Sequence, residues 1–103
     1  MAKVEADSDL YAEVFGALAH PARRRILMTL NFAGGRVPAG DLSALFEHSW
    51  PTTTRHLRVL EQAGLISHRR DGRHRNYEIY RQRLEVARDW LDWFFKDPTG
   101  GKQ

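Results

Sequence analysis

Residues 50–80 read WPTTTRHLRVLEQAGLISHRRDGRHRNYEIY, and the fold turns on how this stretch divides. Up to Gln62 the spacing is helical. Thr53, Leu57, Leu60 and Gly64 fall on one side at 3.6 residues per turn, with His56 and Ala63 at its edge and Thr54, Arg55, Arg58 and Gln62 opposite. Gly64 can take the left-handed conformation that ends a helix, and beyond it the period changes to two. LISHRR and RHRNYEIY flank Asp71-Gly72, a strong hairpin dipeptide, and Tyr77 and Ile79 alternate as a core-facing pair. The stretch therefore predicts a helix followed directly by a β-hairpin.

The start of that helix is unusual. Ser49 is a plausible N-cap, which sets Trp50 and Pro51 in the first turn, where a missing backbone N–H costs nothing. Three threonines follow, although each β-branched residue costs a helix up to roughly 0.7 kcal/mol against alanine. Small hydroxyls backed by arginines one turn later suit a helix whose first turn enters a DNA major groove. Taken alone, the helix fits equally well with threonines that only cap and arginines that are only solvated. The hairpin tilts the balance: Arg69, Arg70, Arg73, His74 and Arg75 surround Asp71 at its tip. Four guanidinium groups there repel one another and stabilise nothing local, but they suit a phosphate backbone or a narrow minor groove. The candidate DNA contacts are Trp50, Thr52, Thr54 and Arg55 in the groove, His56 and Arg58 on nearby phosphates, and Arg69, Arg70, Arg73 and Arg75 on the wing.

Upstream, Asp7, Ser8 and Asp9 can cap a first helix in which Leu10, Val14 and Leu18 recur at helical spacing beside Tyr11 and Phe15. Pro21 can open a second helix, lined by Ile26, Leu27 and Leu30 and ended by Gly34-Gly35. Val37 predicts a short strand. A short third helix carries Leu42, Leu45 and Phe46, and Glu47-His48-Ser49 makes the turn into the fourth, which is the helix-turn-helix arrangement. Downstream, residues 84–95 spread Val86, Ala87, Trp90, Leu91, Trp93, Phe94 and Phe95 over an apolar arc of roughly 200°, wider than one-sided packing needs. Exposed aromatic surface of that extent marks an interface. Leu10, Val14, Trp90, Leu91 and Phe94 are therefore the candidate contacts of a homodimer, and residues 1–7 and 97–103 read as frayed tails. The expected architecture is mainly α with a β-hairpin wing: a winged helix-turn-helix of about five helices and two to three short strands.

Composition agrees. One domain of 103 residues is expected, with 42% hydrophobic and 28% charged residues, ordinary for a soluble chain. No apolar run approaches the roughly 18 residues of a membrane span, and the N-terminus lacks the apolar middle of a signal peptide, so the expected compartment is the cytoplasm. With no cysteine, disulfides, thiolate metal sites and thiol switches are excluded. The net charge of +3 conceals an asymmetry: residues 20–83 hold 12 Lys or Arg against 5 acids, a balance of +7, and the ends hold 4 against 8, a balance of −4. A basic middle suits a polyanion.

Catalysis lacks support. The five histidines are scattered, no glycine-rich phosphate loop joins a strand to a helix, and no cofactor or metal is expected. Glu85, Asp89 and Asp92 share a face of the last helix, but without a histidine they make a solvated stripe rather than a transition-metal site. An RNA reader would want an exposed aromatic platform on the basic face, and none is evident. The alternative from another class is a protein-interaction module on the same scaffold. Such a module would show no steep salt dependence of nucleic-acid binding, and its hairpin arginines would tolerate charge reversal.

The runs VFGALAHPARRRILMTL and DLSALFEHSWPTTTRHLRVLEQAGLISHRRDGRHRNYEIY resemble the ArsR/SmtB-type family of bacterial winged helix-turn-helix repressors, over roughly residues 10–95. The resemblance rests on Ala19-His20-Pro21-Ala22-Arg23, on the Arg55–Ile66 block and on the arginine-rich wing ending in Asn76-Tyr77-Glu78-Ile79. It implies a dimer held by the first and last helices, with DNA read by the fourth helix and the wing. The family's usual Ser-Gln-Pro-x-Val-Ser start is here Ser49-Trp50-Pro51-Thr52-Thr53-Thr54, which implies a different operator, with Trp50 on a sugar or thymine methyl or folded back on the third helix. The metal-sensing Cys-x-Cys pair of many relatives, and their Asp and His ligands on the last helix, are missing, so any effector must use other chemistry.

Overall fold

Two glycine-ended helices set the frame. In the computed structural model, which describes residues 2–45 and 49–96, α2 (Pro21–Phe32) and α4 (Trp50–Gln62) both close with the same backbone pattern. At the end of α2, Gly34 N–H donates to Asn31 and Gly35 N–H to Leu30; at the end of α4, Gly64 donates to Glu61 and Leu65 to Leu60. These are Schellman caps, and Gly34, Gly35 and Gly64 all have positive φ. Both sharp exits return the chain to one small sheet.

The remaining elements are α1 (Ala2–Leu18), β1 (Arg36–Pro38), α3 (Ala39–Ala44), β2 (Ile66–Asp71), β3 (His74–Ile79) and α5 (Arg81–Asp92), with a 3-10 turn over Trp93–Phe95. The antiparallel sheet has the order β1-β3-β2, so β3 is central, with Val37 and His68 both paired to Tyr77. Tyr77 is the largest fully buried side chain. With Ile26, Leu30, Leu42, Leu57, Leu60, Leu65 and Ile79 it forms a single core beneath α2 and α4. Each aliphatic chain of this size contributes about 1.5–3 kcal/mol when removed from water. The predicted core positions of the second helix, the fourth helix and the hairpin all lie within it.

Several boundaries differ from expectation. α1 begins at Ala2, so Asp7, Ser8 and Asp9, expected to cap it, fall inside it, and residues 2–7 are its first turns. The hairpin loop is Gly72-Arg73 rather than Asp71-Gly72: Asp71 pairs with His74, and Gly72 takes φ +64 at the first loop position. A glycine there suits the right-handed twist of the flanking strands. α5 starts at Arg81 rather than Leu84, and its last expected turn tightens to 3-10. Phe46, Glu47, His48 and the expected tail 97–103 lie outside the described residues, as does Met1.

An ideal Cβ on Gly64, whose φ is +78, would sit 2.8 Å from the guanidinium carbon of Arg83. Gly64→Ala should lower stability by about 1–2 kcal/mol in urea unfolding. Gly40 lies in α3 with open space around the added carbon, so Gly40→Ala should raise stability by about 0.5–1 kcal/mol in the same experiment.

Candidate nucleic-acid interface

The threonine-rich start of α4 is mostly structural. Ser49 caps the helix, its Oγ accepting from Thr52 N at 3.4 Å and lying 3.1 Å from Thr52 Oγ1. Thr53 is buried, and its hydroxyl donates to Ser49 O at 3.2 Å. Thr54 Oγ1 is also buried and has no hydrogen-bond partner among the described residues. The groove contact expected of Thr54 is therefore not presented in this rotamer; the hydroxyl faces the protein. Thr52 is half-buried, and Arg55 and Arg58 are exposed on the outer side of α4.

His56 is the clear correction on this helix. It is only 8% exposed, so its ring cannot meet a phosphate. Its partner is Arg23, which sequence reasoning did not single out. Arg23 Nε donates to Ala17 O at 2.8 Å, Nη2 to Gly16 O at 3.0 Å and Nη1 to His56 Nδ1 at 3.2 Å. Arginine has only donors, so His56 Nδ1 is the lone-pair nitrogen. His20 stacks on His56 with ring centroids 4.4 Å apart, while its own Nδ1 caps α2 by accepting from Ala22 N at 3.1 Å. One guanidinium thus joins the C-terminal carbonyls of α1 to the helix that carries Arg55 and Arg58. The available signal was that α1 has no basic residue in its last turn, so the negative end of its dipole had to be met from elsewhere.

The wing stands beside the first turn of α4. Trp50, Arg73, His74 and Arg75 line one cleft of about 310 Å³ with Pro38, Ala39 and Gly40. Trp50 leans over the start of α3 and is 45% exposed, so the basic face does carry an exposed aromatic, contrary to expectation. His68 on β2 bonds through Nδ1 to Glu61 Oε2 on α4, fixing the root of the wing to the helix.

Strand alternation divides the arginines that the sequence grouped together. Arg70 and Arg75 are cross-strand partners, like charges directly opposite each other, an arrangement that weakens a hairpin. Arg69 pairs with Asn76 on the other side of the sheet. There Arg36, Arg69, Asp71, Asn76 and Glu78 line a second cleft that Arg70 also reaches, and Arg36 bonds Glu78 at 3.5 Å. Among the described residues no acid lines the Trp50 cleft. Among the described residues Arg55, Arg58, Arg69, Arg70, Arg73 and Arg75 make no salt bridge.

A family of helix-turn-helix domains matches residues 18–69. The chain belongs to the ArsR family of winged helix-turn-helix transcriptional regulators. It is 37% identical over 78 residues to the transcriptional repressor SdpR of Bacillus subtilis strain 168, covering 76% of this chain and 84% of that one. The crystal structure of an ArsR family transcriptional regulator superposes with a TM-score of 0.76 at 28% identity, over 82% of this chain and 86% of its own. That of a possible transcriptional regulator for arsenical resistance does so with 0.69 at 38% identity, over 80% and 83%. As an ArsR-family protein the chain is a DNA-binding transcriptional regulator rather than a member of an enzyme family.

Removing the Arg23 side chain would take a donor from Ala17 O, from Gly16 O and from His56 Nδ1. Arg23→Ala should destabilise the protein by about 1.5–3 kcal/mol in urea unfolding. Arg23→Lys, a point charge that cannot span the three acceptors, should recover less than half of the loss.

Proposed function

We propose that the chain is a homodimeric repressor that reads a two-fold operator and excludes polymerase from the promoter it overlaps. The observation that carries this reading is the shared cleft of Trp50, Arg73, His74 and Arg75. The first turn of α4 and the tip of the wing lie side by side, as a helix in the major groove with a hairpin on the adjoining backbone requires. Arg55, with Thr52 beside it, reads base edges. Arg58 holds a phosphate, and Trp50 packs on a sugar or a thymine methyl. Arg73 and Arg75 grip the backbone or minor groove from the Trp50 side of the wing, with Arg70, the cross-strand partner of Arg75, between the two clefts. Arg69, on the face shared with Asp71 and Glu78, contributes least.

The dimer is supported by a row of aromatic rings. Phe15 meets Trp90 edge-on at 5.4 Å and Trp90 meets Phe94 at 4.9 Å. An open groove of about 420 Å³ follows Tyr11, Ala12, Phe15 and Trp90. Trp93, Phe94 and Phe95 are 67%, 69% and 85% exposed, so α1 does not cover them. Val14 is the exception among the expected contacts: it is fully buried in its own protomer and is unavailable to a partner. Leu10, Trp90, Leu91 and Phe94 are at the surface and form the interface. Among the described residues no helix is long and apolar enough to cross a membrane, in keeping with a cytoplasmic regulator.

Selection of sites from random duplex DNA should return a two-fold motif with half-sites about one turn, 34–36 Å, apart. On that motif Arg55→Ala should cost about 1–3 kcal/mol and relax base preference. Arg75→Glu should weaken all duplexes alike, flatten the salt dependence, and exceed Arg69→Glu in effect. Equal losses on selected and random DNA for Arg55→Ala would remove it from base reading. In sedimentation at micromolar concentration, Trp90→Ala should give a monomer where the natural chain gives a dimer.

A further inference from the structure

Neither the DNA-facing side nor the aromatic row uses the outer face of α2. Between that face, the end of α1, the root of β3 and the first turns of α5 runs a groove of about 540 Å³, within the range of small-molecule sites. Leu27 and Ile79 are buried and form its floor, Leu18 and Leu84 are half-buried walls, and Met28 is an exposed lip. Its polar lining is one guanidinium, Arg24, and one amide, Asn31. Arg24 spends one N–H on Leu18 O at 2.8 Å, which holds its guanidinium at the edge with other N–H groups in hand. Asn31 Oδ1 accepts from Arg81 Nε at 3.1 Å, which sets a second guanidinium beside the amide and leaves the two N–H donors of Asn31 available. Among the described residues no acidic side chain lines the groove.

An apolar trough edged by anchored cationic donors is complementary to an aliphatic body with an anionic head. We propose that the groove binds a medium-chain carboxylate, its chain over Leu27, Ile79 and Leu84 and its head group against Arg24, Asn31 and Arg81. Arg24 is the chain neighbour of Arg23, whose guanidinium holds His56 of α4. A head group that draws on Arg24 therefore acts on the helix and the helix end that orient α4. This regulatory consequence rests on the proposed DNA reading; occupancy of the groove does not.

The test is calorimetric titration of the DNA-free chain with dodecanoate and, separately, with dodecyltrimethylammonium, both below micelle formation. The expected result is one saturable dodecanoate site per chain, at least about tenfold tighter than for the cation of equal tail length. Met28→Asp, at an exposed position, and Arg24→Glu should each weaken dodecanoate by about tenfold or more with unchanged far-UV circular dichroism. No saturable site, equal affinity for the two amphiphiles, or unaltered binding in both variants overturns the proposal. A groove occupied by a second copy of the chain would be recognised by Met28→Asp shifting the sedimentation while dodecanoate binding stays absent. Because the titration contains no DNA, its failure is separate from a failure of α4 to bind duplex, which is read on random DNA without amphiphile.

Discussion

The guanidinium of Arg23 is the contact on which the orientation of α4 depends. Apolar burial holds α2 and α4 together but is non-directional, so it leaves rotation and register loosely specified. Arg23 supplies direction. It meets two carbonyls at the end of α1 and one ring nitrogen on α4, so three helices are placed relative to one another by a single planar fork. His20 reinforces it from the side, stacking on the same ring while capping the helix that carries Arg23. The cluster lies on the inner side of α4, and Arg55 and Arg58 project from the outer side.

That division of labour resolves the odd composition of the α4 start. The hydroxyls serve the protein: Ser49 and Thr52 form the cap, and Thr53 closes onto Ser49 O. The guanidinium groups of Arg55 and Arg58 take no part in that cap and stay exposed. A bulky, half-exposed tryptophan at the first position then narrows the approach between helix and wing.

Much of the fold was legible because its signals are local. The leucines of α2 and α4 recur with helical period, glycines mark both helix ends, and Tyr77 and Ile79 alternate through a strand. The parts that were not legible are set by partners far along the chain. His56 sits at the edge of the helical wheel, where pattern cannot say whether it is inside or out; His20 and Arg23, over 30 residues away, draw it in. Val14 shares its spacing with Leu10, but α1 turns only one of them fully into the core. The four wing arginines read as one basic cluster in sequence, and which of them face each other depends on where the loop falls; the observed register sets Arg70 opposite Arg75 and Arg69 opposite Asn76.

The facing of Arg70 and Arg75 bears on how the hairpin behaves when nothing is bound. Their mutual repulsion works against the two strands at the place where no core side chain can counter it. A line of negative charge laid beside them converts that repulsion into a bridge, each guanidinium attracted to the same third body. Counter-charge beside the tip would therefore firm it, so that its stiffness and its ionic surroundings become one variable.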